Sequence, residues 1–212
     1  MKLTVLGASG GVGQEIVLQA LAAGHEVTAV VRDPGRLRVQ GPALRVHRSD
    51  LSDPGQLAEA LTGRDAVLSG LGARGRAAAV AGMAATLTRA VLAGMERADV
   101  TRLLVVSAAP LGTAPPGEPL FDRIYMATVK SVLAPVYTDL AAMERDLARS
   151  TAEWTAVRPP MLRNSPLTAR YRTAVGGNPR SARSVSRADV AHAMLTLIED
   201  RSTYRQPVGI AT

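Results

Sequence analysis

The sequence predicts a single-domain α/β fold built on a doubly wound parallel sheet. Three observations predict it. Short runs rich in Val, Leu and Ala alternate with longer helical patterns, as in successive βαβ units. A glycine-rich turn stands between the first such run and the first helical stretch. No internal period marks a stacked-repeat architecture, so the alternation belongs to one sheet.

The elements follow in order. The first strand is Leu3 to Leu6. A helix runs from about Gly11 to Ala23, with Gly24 as its C-cap. Within it Ile16, Ala20 and Ala23 share a face, with Val17 and Leu21 beside them. The second strand is Glu26 to Val31, and Arg32-Asp33-Pro34-Gly35 reads as a turn. A third strand near Leu44 to His47 precedes a helix near Pro54 to Leu61 and a fourth strand at Ala66 to Ser69. An Ala-rich helix spans about Ala77 to Glu96, and a fifth strand Leu103 to Ser107. Residues 108–120, with Pro110, Pro115, Pro116 and Pro119, read as a stiff irregular loop. Helical stretches at 121–133 and 136–149 flank Pro135. A sixth strand covers Trp154 to Val157, and 159–184 reads as a long Arg-rich loop. Ser186 then N-caps a last helix, with Asp189 at N3. Val190, Met194, Leu197 and Ile198 form the buried stripe of that helix, and a final strand lies near Pro207 to Ile210. The simplest order is 3-2-1-4-5-6 with one strand added at the end.

Composition narrows the class. A chain of 212 residues with 47% hydrophobic residues fits one domain, 1–212, with a sizeable core. Aromatics are 3%, which leaves little stacking surface for bases. The net charge is +7, almost all of it from arginine, since Lys2 and Lys130 are the only lysines. That balance suits an anionic ligand. The absence of cysteine excludes disulfides, Cys-ligated zinc and thiol catalysis. The opening run Lys2 to Leu6 is too short for a signal peptide, and no stretch approaches the ~20 apolar residues of a membrane span. The expectation is a soluble, cytoplasmic protein that binds no membrane.

The glycine turn is Gly7-Ala8-Ser9-Gly10-Gly11-Val12-Gly13. The first glycine permits a tight turn, the middle pair lets backbone approach a pyrophosphate, and the last lets helix pack on strand. Backbone N–H groups and the positive end of the helix then face the phosphates. The position of the turn predicts a Rossmann-like dinucleotide site. The residue closing strand two usually selects the cofactor: an acid accepts from a ribose 2′-OH, an arginine neutralises a 2′-phosphate. Arg32 comes first and Arg36 follows within a turn, which predicts NADPH. Asp33 either caps the turn or favours NADH, and both alternatives stay open.

Ligands of such sheets lie beyond the C-terminal strand ends. The candidates there are Asp50 and Leu51 after strand three, Gly70, Leu71 and Gly72 after strand four, and Arg74 two residues on. Ser107 and Ala108 follow strand five, and Pro159, Pro160 and Met161 follow strand six. Ser107 is the candidate catalytic residue, as a hydrogen-bond donor to a carboxamide or to the acceptor. Loops 108–120 and 159–184 are expected to wall the acceptor pocket.

With Gly7 to Gly13, Val30-Val-Arg-Asp-Pro34, Ser49-Asp-Leu51 and Val157-Arg-Pro-Pro160, the chain resembles the atypical short-chain dehydrogenase/reductase superfamily. It looks most like NAD(P)H-binding proteins of the flavin reductase/biliverdin-IXβ reductase type. The likeness extends through Arg32-Asp-Pro-Gly-Arg-Leu37, Gly70-Leu-Gly-Ala-Arg74, Ser107-Ala108 and Pro159-Pro-Met-Leu-Arg-Asn-Ser-Pro-Leu-Thr168. The resemblance implies NADPH with Arg32, Arg36 and Arg74 around its phosphates, Ser107 near the nicotinamide, and hydride transfer to a flat acceptor such as a flavin, a quinone or a tetrapyrrole.

Two departures matter. Met161 stands where biliverdin-type members carry a histidine, and the Tyr-x-x-x-Lys pair of classical members is absent. Tyr125 and Lys130 are five apart, off one helix face, and Tyr137 is followed by Ala141 where lysine belongs. Flavin or quinone reduction needs little acid–base help from protein and is compatible with that lack. His25, His47 and His192 are isolated, and Glu144 and Asp146 read as surface charge. No metal site is expected, nor a hydrolase elbow. The expected partner is a small-molecule acceptor, with no nucleic-acid motif present, in a monomer or small homo-oligomer. The competing reading is a non-enzymatic dinucleotide sensor of the nitrogen metabolite repressor type.

Overall fold

A computed structural model describes residues 1–71 and 80–212. Ten strands are described: β1 (Lys2–Leu6), β2 (Glu26–Val31), β3 (Leu44–Arg48), β4 (Ala66–Ser69), β5 (Arg102–Val106), β6 (Glu153–Arg158), β7 (Met161–Arg163), β8 (Arg172–Val175), β9 (Ser184–Ser186) and β10 (Gln206–Ala211). The described α-helices are α1 (Gly11–Ala22), α2 (Pro54–Leu61), α3 (Met83–Arg97), α4 (Leu120–Val132), α5 (Ala134–Arg149) and α6 (Arg187–Thr196). The start of the Ala-rich helix expected from Ala77 falls outside the described residues.

The eight-stranded sheet has the order β3-β2-β1-β4-β5-β6-β10-β8. Its neighbours pair in parallel up to β10, and β8 closes the edge antiparallel. The expected order with one added strand is present, and β8 is an eighth strand that the sequence reading lacked. The central strands are buried on both faces, as a covered parallel sheet requires. On one face Leu3 and Val5 pack with Ile16 and Val17 of α1 and Val190 and Met194 of α6. On the other, Leu6, Val67 and Leu103 pack with Leu57, Leu61, Met95, Met143 and Leu147 from α2, α3 and α5.

Three sequence expectations are corrected. Residues 159–184 are not all loop: β7 pairs with β9 and β8 pairs with β10. Arg172, Thr173 and Val175 of β8 are exposed, so the strand carries no apolar alternation and is held by its backbone ladder. Pro135 does not separate two helices but sits in the first turn of α5, where a missing N–H costs nothing. Within the loop expected at 108–120, a short 3₁₀ turn runs over Ala109–Leu111.

Buried polar groups tie elements together. Arg102, 4% exposed, donates to the carbonyls of Leu197 and Ile198 at 2.6 and 2.7 Å, beyond the last turn of α6. Burial pushes its guanidinium down to about 10, still charged at neutral pH. Asp139 of α5 accepts from the backbone N–H groups of Ala84 and Ala85 at 2.9 and 3.0 Å and so caps α3 from outside.

Candidate functional site

The chain leaves β1 at Gly7 with φ +68°, a left-handed conformation that glycine adopts without strain. The Gly10 N–H donates back to the Gly7 carbonyl at 2.8 Å and closes the turn. Gly13 then lies against that turn, where an added Cβ would overlap the Gly7 oxygen and stand 2.8 Å from Ala8 Cα. Ala8 and Val12 are buried, so they present backbone only, while Ser9 is half-buried and Gly11 is exposed.

The N-terminus of α1 carries no side-chain cap and no acid in its first turn. By contrast α2 is capped by Asp53, α6 by Ser186, and α3 by Asp139. The first N–H groups of α1 therefore have no side-chain acceptor among the described residues. Arg187, the first residue of α6, lies over this spot. A Cβ on Gly11 would meet Arg187 Cδ at 2.7 Å and Nε at 2.8 Å, and Arg187 Nη1 donates to Asn164 Oδ1 at 2.6 Å. The place of Arg187 was not legible in the sequence, because the α6–α1 packing that brings it here is set by the tertiary fold alone.

Arg32 and Arg36 follow β2 at the same sheet edge and are exposed. Among the described residues neither is in an ion pair. Asp33 Oδ1 accepts from the Gly35 N–H at 3.0 Å, which makes Asp33 the cap of the short turn Pro34–Arg36. Past β3, Asp50 is exposed and accepts from the Ser52 hydroxyl and N–H at 2.6 and 2.9 Å. Those bonds, the hydroxyl first, hold its carboxyl below the usual range. Leu51 is buried at φ +69°, and its N–H donates to Ser49 Oγ.

At β4 the Gly70 N–H donates to Leu6 O at 3.0 Å, and Leu71 packs its Cδ2 over Gly7. Gly72 and Arg74 lie outside the described residues. Ser107 and Ala108 continue from β5, and the Ala109 N–H donates to Pro159 O at 2.9 Å, which joins the two strand ends. Pro159 is buried, Pro160 half-buried and Met161 exposed at the start of β7.

The reading of Glu144 as surface charge is overturned. Its side chain is 15% exposed; Oε1 accepts from Ser107 Oγ at 2.6 Å and from Arg158 Nε at 2.9 Å, and Oε2 pairs with Arg158 Nη2. Ser107 therefore spends its proton on Glu144 and offers outward only lone pairs, not the donor expected of it. The signal was present in the spacing: Tyr137, Leu140 and Leu147 of α5 are buried, and Glu144 shares their face. Asp146 does sit nearer solvent, in a loose 3.7 Å pair with Arg89. Tyr137 is buried, and burial pushes its phenol up, so it is no ready acid. His192 is engaged with the Tyr171 hydroxyl at 2.7 Å. Among the described residues no group of three His, Asp or Glu side chains is placed to hold a metal, and no helix is long and apolar enough to cross a membrane.

A parallel sheet with this order and an uncapped glycine turn at its C-terminal edge defines the Rossmann-like nucleotide-binding class. The chain belongs to the NAD(P)H-binding family, whose model matches residues 7–201. Among curated proteins it is 38% identical over 73 residues to the uncharacterized protein YwnB of Bacillus subtilis (strain 168), a match covering 34% of this chain and 32% of that one. The solved anaerobillin reductase ChuY of Escherichia coli O157:H7 is 22% identical with a TM-score of 0.79, covering 100% of this chain and 97% of that one. A short-chain dehydrogenase/reductase of Veillonella parvula DSM 2008, solved in complex with NADP, is 20% identical with a TM-score of 0.79, covering 100% and 94%. At these identities the structural likeness establishes the fold, which solved candidate epimerases share with the reductases.

Proposed function

We propose that the chain is an NADPH-dependent reductase acting on a flat small-molecule acceptor such as a flavin or quinone. The observation that carries the reading is the first turn of α1: no side-chain cap, no acid, and a glycine turn with only the Arg187 guanidinium arm over Gly11. Those amides suit a pyrophosphate, and Arg187 beside them adds a positive charge. Arg32 and Arg36 suit a 2′-phosphate. Asp33 spends one oxygen on the Gly35 N–H, so the support for NADPH over NADH comes from the two arginines beside it.

When bound, the reduced nicotinamide supplies a hydride. The residues here orient and shield rather than move protons. Ser107, its proton held by Glu144, accepts a hydrogen bond from an N–H such as a carboxamide, and Arg158 keeps Glu144 in place. With Tyr137 buried and Glu144 clamped, the site suits acceptors that need no protein acid. Calorimetry with NADPH and NADH tests the cofactor half. NADPH binding at least about tenfold tighter than NADH is expected, with Arg32→Ala and Arg36→Ala each losing about tenfold for NADPH alone. Loss of absorbance of the reduced cofactor with added flavin or quinone tests the other half. One observation favours a second reading, a dinucleotide-responsive regulator: among the described residues no unpaired acid stands beside Ser107, since Glu144 is held by Arg158. That reading predicts tight NADPH binding with no consumption by any acceptor.

A further inference from the structure

Helix α4 turns its apolar side outward. Of its 13 residues only the charged Asp122 is buried, with Met126 and Val129 half-buried. Leu120, Phe121, Ile124, Tyr125 and Val132 face solvent instead, between 38% and 69% exposed. At 3.6 residues per turn Leu120, Ile124, Thr128 and Val132 form one row along the helix, with Phe121 and Tyr125 beside it. Arg183 fixes this orientation: it pairs with Asp122 at 2.8 Å and holds that side of the helix against the protein.

The face has the size and composition of an interface. Partly exposed side chains of this kind offer about 100 Å² each, so five of them make a patch of roughly 500 Å². The largest patch on a monomer reaches about 300–600 Å² and is often functional. A standard interface buries about 800 Å² per partner, about 65% of it apolar in homodimers; this face supplies that apolar share on its own. The one hydroxyl in the row, on Thr128, donates to the Ile124 carbonyl at 2.9 Å and needs no partner across an interface.

Two features point to a second copy of the chain as the occupant. The row is self-complementary: across a two-fold axis at the level of Met126, antiparallel helices set Leu120 opposite Val132 and Ile124 opposite Thr128, each pair made twice. In addition, no charge stands in the row. Arg123 and Lys130 leave from the far flank, where they line a cavity with Asp122 and Met126. Arg183 reaches only the edge, 5.8 Å from the Phe121 ring, and is balanced by Asp122. Like charges thus stay apart in a pair of chains of net charge +7 each, and an acidic protein or an anionic lipid finds no cation within the face.

We propose that α4 is the contact helix of a homodimer, packed antiparallel on its counterpart through Leu120, Phe121, Ile124, Tyr125 and Val132. The proposal is independent of the reductase reading. Sedimentation velocity of the full chain over a micromolar concentration series is expected to give twice the 22.2 kDa of one chain. Ile124→Asp places a charge on each side of the axis, so the dimer is expected to weaken at least about 100-fold, while Arg123→Ala on the far flank leaves it unchanged. Ile124 is exposed in the single chain, so the circular dichroism of the variant is expected to match the parent. A second measurement decides the matter if Ile124→Asp does not fold. The chain has no cysteine, and the two Thr128 side chains of such a pair lie about 10 Å apart. A short bismaleimide is therefore expected to join Thr128→Cys chains in pairs, but not Leu18→Cys chains, whose thiol sits on α1 at the other face of the sheet. A chain that stays at 22.2 kDa throughout overturns the proposal, as does a dimer that survives Ile124→Asp or a Thr128→Cys chain that does not couple. A monomer that binds vesicles of anionic phospholipid overturns it too, and gives the face to lipid.

Discussion

Replacing Glu144 by Gln probes the Glu144–Arg158 ion pair beside the ends of β5 and β6. The carboxylate receives three hydrogen bonds, one from Ser107 and two from Arg158, and the Arg158 side chain is 11% exposed. An amide has one oxygen to meet Arg158, and its NH₂ then faces a second guanidinium donor. The substitution therefore removes a charge-assisted bond and leaves a mostly buried cation without its counter-charge. Full burial puts such a loss at roughly 3–5 kcal/mol; the residual exposure of both side chains lowers it to about 2–3 kcal/mol. In a chain of this length each kcal/mol moves Tm by about 2–4 °C, so a fall of roughly 5–10 °C is expected. Differential scanning fluorimetry at neutral pH measures it. The amide NH₂ also donates to Ser107 Oγ and turns the serine proton outward, so the region beside Ser107 changes while the glycine turn does not. NADPH affinity is then expected to hold within about threefold while turnover with an acceptor changes. A Tm within 1 °C of the parent would return Glu144 to the surface and refute the reasoning.

Two further outcomes are expected. Asp189 is fully buried; burial alone raises its carboxyl, but hydrogen bonds from Ser186, Thr168 and Ala169 outweigh that and leave it below the ordinary 3.8. Its contribution is therefore present above pH 3.8 and lost as pH falls through the lower folded value. In urea melts across that range Asp189→Asn is expected to be less stable than the parent at neutral pH, with the gap closing in acid; a gap that widens in acid contradicts this. For Gly13→Ala, the new methyl overlaps the Gly7 carbonyl, costs about 1–3 kcal/mol of stability and displaces the α1 amides, so calorimetry is expected to register no NADPH binding. Parent-like affinity would mean that the glycine turn is not the phosphate site.

Much of the architecture was legible because it is local. Strands β2 and β4 and helix α2 are written in runs of apolar residues with Gly, Pro or Asp close by, and their limits can be read without a fold. The turn at Gly7 to Gly13 and the Ser186–Asp189 cap are likewise short-range patterns whose geometry follows from a few dihedrals and one N–H. What the sequence alone determined is therefore the βα alternation, the phosphate-type turn and its place at a strand end. Only the tertiary structure decided that Glu144 binds Ser107 and Arg158, that Arg187 crosses from α6 to cover Gly11, and that β8 joins the sheet with hardly any buried side chain. It alone tied Asp122 to Arg183 and so turned the apolar side of α4 to solvent. These depend on contacts between residues far apart in the chain, made by side chains or backbone groups that no local period distinguishes from solvated ones.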